Sequence, residues 1–193
     1  MCRTIITNGT IVNDGEHFIG SIIVKGEFIE SVIKGKLPEN IVCDTDRIID
    51  TSGKWILPGV IDDQVHFREP GLTHKAEIAT ESVAAVAGGI TSFMEMPNTV
   101  PQTTTLEALE WKYSRAAEVS PANYSFYIGA TNDNFEVLKQ VDFSQVCGVK
   151  IFMGSSTGNM LVDKMNSLLN IFNGTDMLIA AHCEDQELSL IHI

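Results

Sequence analysis

Three places in this chain set a ligating side chain into or at the end of an apolar run: Asp62-Asp63-Gln64-Val65-His66, Lys150 within Gly148-Val149-Lys150-Ile151-Phe152, and His182 within Ala180-Ala181-His182-Cys183. Imidazole nitrogens bind borderline cations such as zinc. Lysine at such a position is the unusual one, because an ammonium flanked by Val149, Ile151 and Phe152 is costly to desolvate without a partner. Burial favours the neutral amine, which is nucleophilic enough to add carbon dioxide and give a carbamate with two oxygens to offer a cation. Each position also has an ordinary reading. A strand histidine is commonly a hydrogen-bonded core residue, and a lysine at a strand end can bury its stem and keep its head in water.

Two further residues could hold an anionic ligand beside such a centre. Arg68 lies two positions after His66, on the same side of an extended segment, and a guanidinium grips a carboxylate bidentately. The competing reading is a solvated salt bridge. Asn98, in Met96-Pro97-Asn98-Thr99, offers both a donor and an acceptor, although Asn after Pro is also plain turn chemistry. Gly154-Ser155-Ser156-Thr157-Gly158-Asn159 lacks the Gly-Lys-Ser/Thr ending of a phosphate loop and reads as a flexible connection. His17, His74 and His192 read as surface residues.

These residues need a scaffold that brings distant strand ends together. Residues 3 to about 50 carry β-branched runs broken by Asn8-Gly9, Asp14-Gly15 and Gly26, which predicts a small antiparallel β unit, since Asn-Gly and Asp-Gly suit tight hairpin turns. Beyond Asp50-Thr51-Ser52-Gly53 apolar runs alternate with helical patterns at 77–88, 105–118, 133–140 and 162–172. In the last of these, Met165, Leu168, Leu169 and Phe172 form a stripe expected to face a sheet. Domains at 1–53 and 54–193 follow. Continuous apolar strands separated by helices imply a parallel sheet covered on both faces, either doubly wound or a barrel. Five such strands are visible, and in a barrel the reactive groups gather at the C-terminal strand ends.

Composition excludes other classes. A net charge of −12 over 193 residues, with no Lys/Arg cluster, argues against a nucleic-acid partner. Cys2, Cys43, Cys147 and Cys183 are scattered without a CxxC pair, which speaks against a zinc finger or a disulfide framework and for reduced thiols in a cytoplasm. No apolar run approaches a membrane span, and the first residues carry no secretory pattern, so a soluble intracellular protein is expected.

The segment from Ile49 to Gly71 resembles the opening of the amidohydrolase barrels, and His66-Phe67-Arg68-Glu69-Pro70-Gly71 together with Met96-Pro97-Asn98-Thr99 resembles the dihydroorotase branch. The Lys150 and His182 segments stand where that family has its carboxylated lysine and its next metal histidine. The resemblance covers nearly the whole chain. It implies an α/β fold, an incomplete TIM-type barrel with about five of eight strands after a small antiparallel β domain. It also implies zinc bound by His66 and His182 and bridged by carboxylated Lys150, with Arg68 and Asn98 holding a substrate carboxylate. The implied reaction is reversible hydrolysis of dihydroorotate to N-carbamoyl-aspartate, a step of pyrimidine synthesis, and the implied associations are a homodimer or aspartate transcarbamoylase. Allantoinases and hydantoinases share the metal architecture and are the nearest alternatives in substrate.

Two departures qualify that expectation. Gln64 stands where the family usually has the first histidine of a His-x-His pair, and an amide oxygen is a poorer zinc ligand. One firmly held zinc, or two of unequal affinity, is expected, and a non-catalytic scaffold is the rival reading. The chain also stops after the fifth strand, so a further metal histidine and the proton-shuttling aspartate would lie downstream and these residues alone are expected to be inactive. Ser189 to Ile193 do not continue the family's helix and suggest an altered reading frame.

Overall fold

A computed structural model describes residues 3–154 and 158–183. The chain divides into two compact units, residues 1–58 and 59–193. In the first, β1 (Arg3–Asn13), β2 (Glu16–Lys25) and β3 (Phe28–Lys34) form an antiparallel meander, with Asp14 and Gly15 both at positive φ in the first turn. Asn8 also adopts positive φ, but inside β1, where the register with β2 shifts between Ile6 and Gly9. Asn8-Gly9 is therefore a bulge within one long strand rather than a hairpin turn. The purely antiparallel expectation is corrected as well. β4 (Arg47–Asp50) and β5 (Trp55–Ile56) both run parallel to β1, and this pairing carries the unit past the turn at Asp50–Gly53 to Pro58.

The second unit is built on a five-stranded parallel sheet ordered β10-β9-β8-β7-β6, with β6 (Val60–Val65), β7 (Ile90–Glu95), β8 (Asn123–Gly129), β9 (Gly148–Phe152) and β10 (Ile179–His182). Strand follows strand in chain order and the sheet curls as a half-barrel. α1 (Ile78–Ala87), α2 (Leu106–Val119), α3 (Phe135–Leu138) and α4 (Met165–Gly174) make the connections. Phe93, Phe126, Ile128, Val149 and Ile151 supply the strand side of a core that Leu109, Ala116, Leu138 and Ile171 close from the helices. Because strand side chains alternate, Tyr127, Gly129, Lys150 and Phe152 stand on the face turned away from that core.

Helix positions depart from the sequence pattern in two places. α3 is a single turn, since Asn134 ties Thr131 N–H, Thr104 O and Gly129 O before it, and Asp142 closes a turn on Ser144 after it. α4 starts at Met165 because Val162 N–H donates to Phe152 O and Leu161 bridges Phe152, holding 161–162 extended. The stripe expected to face the sheet is corrected too. Ile171 is buried with Leu168 packed beside it, whereas Met165, Leu169 and Phe172 are each at least half exposed. Ile171 and Leu168 lie three residues apart, so a narrower face covers the sheet than the apolar pattern suggested.

Ile171→Ala should cost about 2–5 kcal/mol as a cavity in the core. Leu169→Ala should stay within about 1 kcal/mol, because its side chain leaves little void. Denaturant midpoints of the two variants check the helix rotation, and equal losses would contradict it.

Candidate active site

His66 follows the end of β6, and Val65 and Phe67 on either side of it pack toward the helix-side core, which turns the imidazole to the opposite face. It is half-buried. Its Nδ1 lies 2.9 Å from Asn98 Oδ1. In the neutral Nδ1–H tautomer the ring donates to that oxygen and leaves the Nε2 lone pair for a cation. Burial chiefly, then the positive charges of Arg68 and Lys150, hold the imidazole below its ordinary value, with Asn98 pulling the other way. Neutral imidazole is the ligating form.

Lys150 is 5% exposed, in the middle of a strand whose five residues are all buried. Its register neighbours are the small residues Gly129 on β8 and Ala180 on β10, and the Met160 methyl and Pro97 pack against Gly129. Nζ stands 5.0 Å from the Phe152 ring centroid, and the His182 ring stacks on that same Phe152 at 6.0 Å. His182, two residues beyond Ala180 and in register with Phe152, is exposed at the end of β10. Phe152 thus links the amine and the second imidazole on one face. Burial lowers the Lys150 pKa, which favours the amine over the ammonium.

Arg68 adopts left-handed backbone at φ 68, and so does not continue the strand as its spacing implied. A non-glycine residue held there stores strain that the surroundings must maintain. Gly71 explains part of that hold. At φ +80 it lies so close to Val100 that an added Cβ would meet the Val100 carbonyl oxygen at 1.9 Å, and Val100 N–H donates to Pro70 O. The segment after His66 is thereby packed on the segment containing Asn98. Gln64 is exposed, and its N–H donates to Asp62 Oδ1. Among the described residues no three His, Cys, Asp or Glu side chains gather as a metal cluster. A cation here would depend on Lys150 joining the imidazoles, and a neutral Nδ1-anchored His66 with a buried, deprotonation-prone Lys150 on the same face is a donor set that fits zinc once the amine is carboxylated.

Sequence reasoning passed over four charged residues around this segment. Glu95 and Lys112 are both fully buried, with Nζ donating to Oε2 at 2.8 Å and to Met96 O at 3.2 Å. Glu69 Oε1 accepts from Arg115 Nε at 2.8 Å, and its Oε2 accepts from Ile78 N–H at the start of α1. The available signal was Lys112 in an otherwise amphipathic helix beside Leu109 and Ala116, both buried positions. The loop Gly154–Asn159 falls partly, and His192 and residues 189–193 wholly, outside the described residues. His17 and His74 are exposed. Among the described residues no helix is long and apolar enough to cross a membrane.

Residues 53–190 match the Dihydro-orotase-like protein family. The dihydroorotase of Bacillus subtilis (strain 168) is 36% identical over 192 residues, covering 95% of this chain and 42% of its own length. That of Ehrlichia canis (strain Jake) is 32% identical over 171 residues, 89% of this chain and 38% of its own. The chain thus spans about two fifths of the length of these curated relatives. Among solved structures, the L-hydantoinase (dihydropyrimidinase) from Arthrobacter aurescens superposes with a TM-score of 0.86 at 26% identity, over 97% of this chain and 42% of that one. A D-hydantoinase (dihydropyrimidinase) from Thermus sp. gives 0.78 at 26%, over 96% and 41%.

The His66 imidazole should titrate below the ordinary 6.5, and Asn98→Ala should lower it further by removing the acceptor that favours the charged ring. The unfolded chain then binds the proton first, so His66 withdraws stability as pH falls below 6.5. Imidazole NMR against pH checks both, and a midpoint at or above the ordinary value would contradict them.

Proposed function

Because the chain belongs to the dihydro-orotase-like family, we propose that the protein is a zinc-dependent cyclic amidohydrolase that opens the ring of dihydroorotate to N-carbamoyl-aspartate, and closes it in the reverse direction. The observation that carries this reading is Lys150. It is buried in the middle of β9 on the face away from the helices, between the strands that lead to His66 and His182. A purely structural strand would place an apolar residue there at lower desolvation cost.

In this reading the neutral Lys150 amine adds carbon dioxide and loses a proton to form a carbamate, and that carbamate, His66 and His182 would be the groups that hold zinc. Zinc would supply Lewis-acid polarisation of the ring carbonyl and a bound water acidic enough to ionise near pH 7. Asn98 fixes the His66 ring through Oδ1 and keeps its amide N–H groups for a substrate oxygen. The Arg68 guanidinium pairs with the substrate carboxylate and orients the ring for attack. Water adds to the ring carbonyl carbon, the C–N bond breaks, and the proton given up by the water passes to the ring nitrogen. Gln64 would offer only an amide oxygen, a weaker ligand than imidazole, so a metal position that drew on it would be the labile one.

A second reading, a non-catalytic scaffold for a partner such as aspartate transcarbamoylase, is favoured by Gln64 alone. An allantoinase or hydantoinase activity would keep the chemistry and change the ring, and the hydantoinase likeness of the fold supports it to that extent. Folded full-length protein with added zinc and each of the three cyclic amides in competition separates the readings. Preferential turnover of dihydroorotate is expected, and no turnover of any ring would favour the scaffold.

Metal analysis gives the sharper check. Lys150→Ala should lose bound zinc, while Gln64→His should raise zinc content and tighten the weaker position by about 10-fold or more. Unchanged zinc in Lys150→Ala would remove the carbamate from the mechanism.

A further inference from the structure

The His66–Arg68 segment is bracketed by two cations from one helix. On its N-terminal side, Val65 pairs in register with Glu95 of β7, and Met96 N–H donates to Val65 O. Lys112 of α2 holds both partners of that junction, the Glu95 carboxylate at 2.8 Å and the Met96 carbonyl at 3.2 Å. On its C-terminal side, Glu69 follows Arg68 directly and is held at 2.8 Å by Arg115. Arg115 lies three residues after Lys112, so both cations project from one side of α2.

Each glutamate also does a second job. Glu69 caps the first turn of α1 through Ile78 N–H. Glu95 Oε1 has no hydrogen-bond partner among the described residues, and burial pushes this carboxyl up, so Lys112 is what holds its charge. The buried pair is tied to the backbone leading into His66 and Arg68 through the Val65–Glu95 register. Between the two brackets sits Arg68 at φ 68, a conformation that needs external restraint.

We propose that Lys112 and Arg115 are positioning residues: acting through Glu95 and Glu69, they hold the His66–Arg68 backbone in its left-handed turn so that the Arg68 guanidinium is presented to a carboxylate-bearing ligand. Neither cation touches that ligand. The ligand class comes from the dihydroorotate reading above, whereas the restraint on the backbone does not depend on it. α2 thus supplies substrate affinity from outside the site, and weakening either bracket loosens carboxylate binding more than it slows the chemical step.

The test uses the full-length protein with added zinc and three variants. Glu95→Gln combined with Lys112→Met removes both buried charges together, which avoids stranding either one. Arg115→Gln opens the other bracket, and Arg115→Lys keeps its charge. Melting curves establish that each variant folds. The first two should raise KM for dihydroorotate about 10-fold with a smaller fall in kcat, and Arg115→Lys should recover most of the loss. Without substrate, the Arg68 amide and His66 ring signals should shift in those same two variants and return toward the parent in Arg115→Lys. Folded variants with parental Arg68 and His66 signals would overturn the proposal. Shifted signals with no dihydroorotate binding by the parent would keep the bracket and sink the substrate reading.

Discussion

A lysine ammonium and a glutamate carboxylate, both sealed from water, face each other at 2.8 Å where α2 crosses the end of β7. Burial works against each charge, pushing the Glu95 carboxyl up and the Lys112 ammonium down, and each charge is what keeps the other in place. An arrangement this demanding of geometry fixes the helix on the strand more narrowly than apolar packing could. It sits beside a tight aromatic group in which the Phe93 ring lies tilted against Phe67, 4.6 Å between centroids, and meets Phe126 edge-on. Since β7 pairs with β6 at Val65 and Glu95, the position of the first imidazole is inherited from that buried pair.

The two faces of the parallel sheet are specialised in opposite ways. One is a hydrophobic core closed by four helices, with the Glu95–Lys112 pair buried at its edge. The other collects the groups with chemical potential, and the small residues Gly129 and Ala180 flank Lys150 there. Alternation alone makes this possible, because residue 150 faces away from 149 and 151 without any break in the strand. The same desolvation that depresses His66 also depresses Lys150, so one physical cause favours the neutral form of both groups.

The segment from Phe67 to Gly71 joins these two levels. Its residues divide their labour by position: Phe67 enters the core, Arg68 takes the strained backbone, Glu69 caps α1 and meets Arg115, and Gly71 lets the chain pass under Val100. A motif that reads as a run of ligand-binding residues is half scaffold. The likeness to the dihydroorotase relatives in sequence and to hydantoinases in three dimensions extends over nearly the whole chain, this segment included.

The amino-acid order by itself determined the alternation of strands and helices, the five apolar strands, and the candidacy of His66, Arg68, Asn98, Lys150 and His182, because periodicity and polar interruptions are local properties of the chain. It did not determine which apolar residues of α4 turn inward, where Ile171 rather than the Met165, Leu169 and Phe172 edge is buried, since several apolar faces satisfied the same period. Nor did it reveal that Asn98 would meet His66 across 32 residues, or that Lys112 and Arg115 would find Glu95 and Glu69 across 17 and 46. A charged residue carries no local mark of its partner. Only the packed fold, by excluding water from around Lys112 and Glu95 and forcing Arg68 into a left-handed turn, decided which of the many charges would meet.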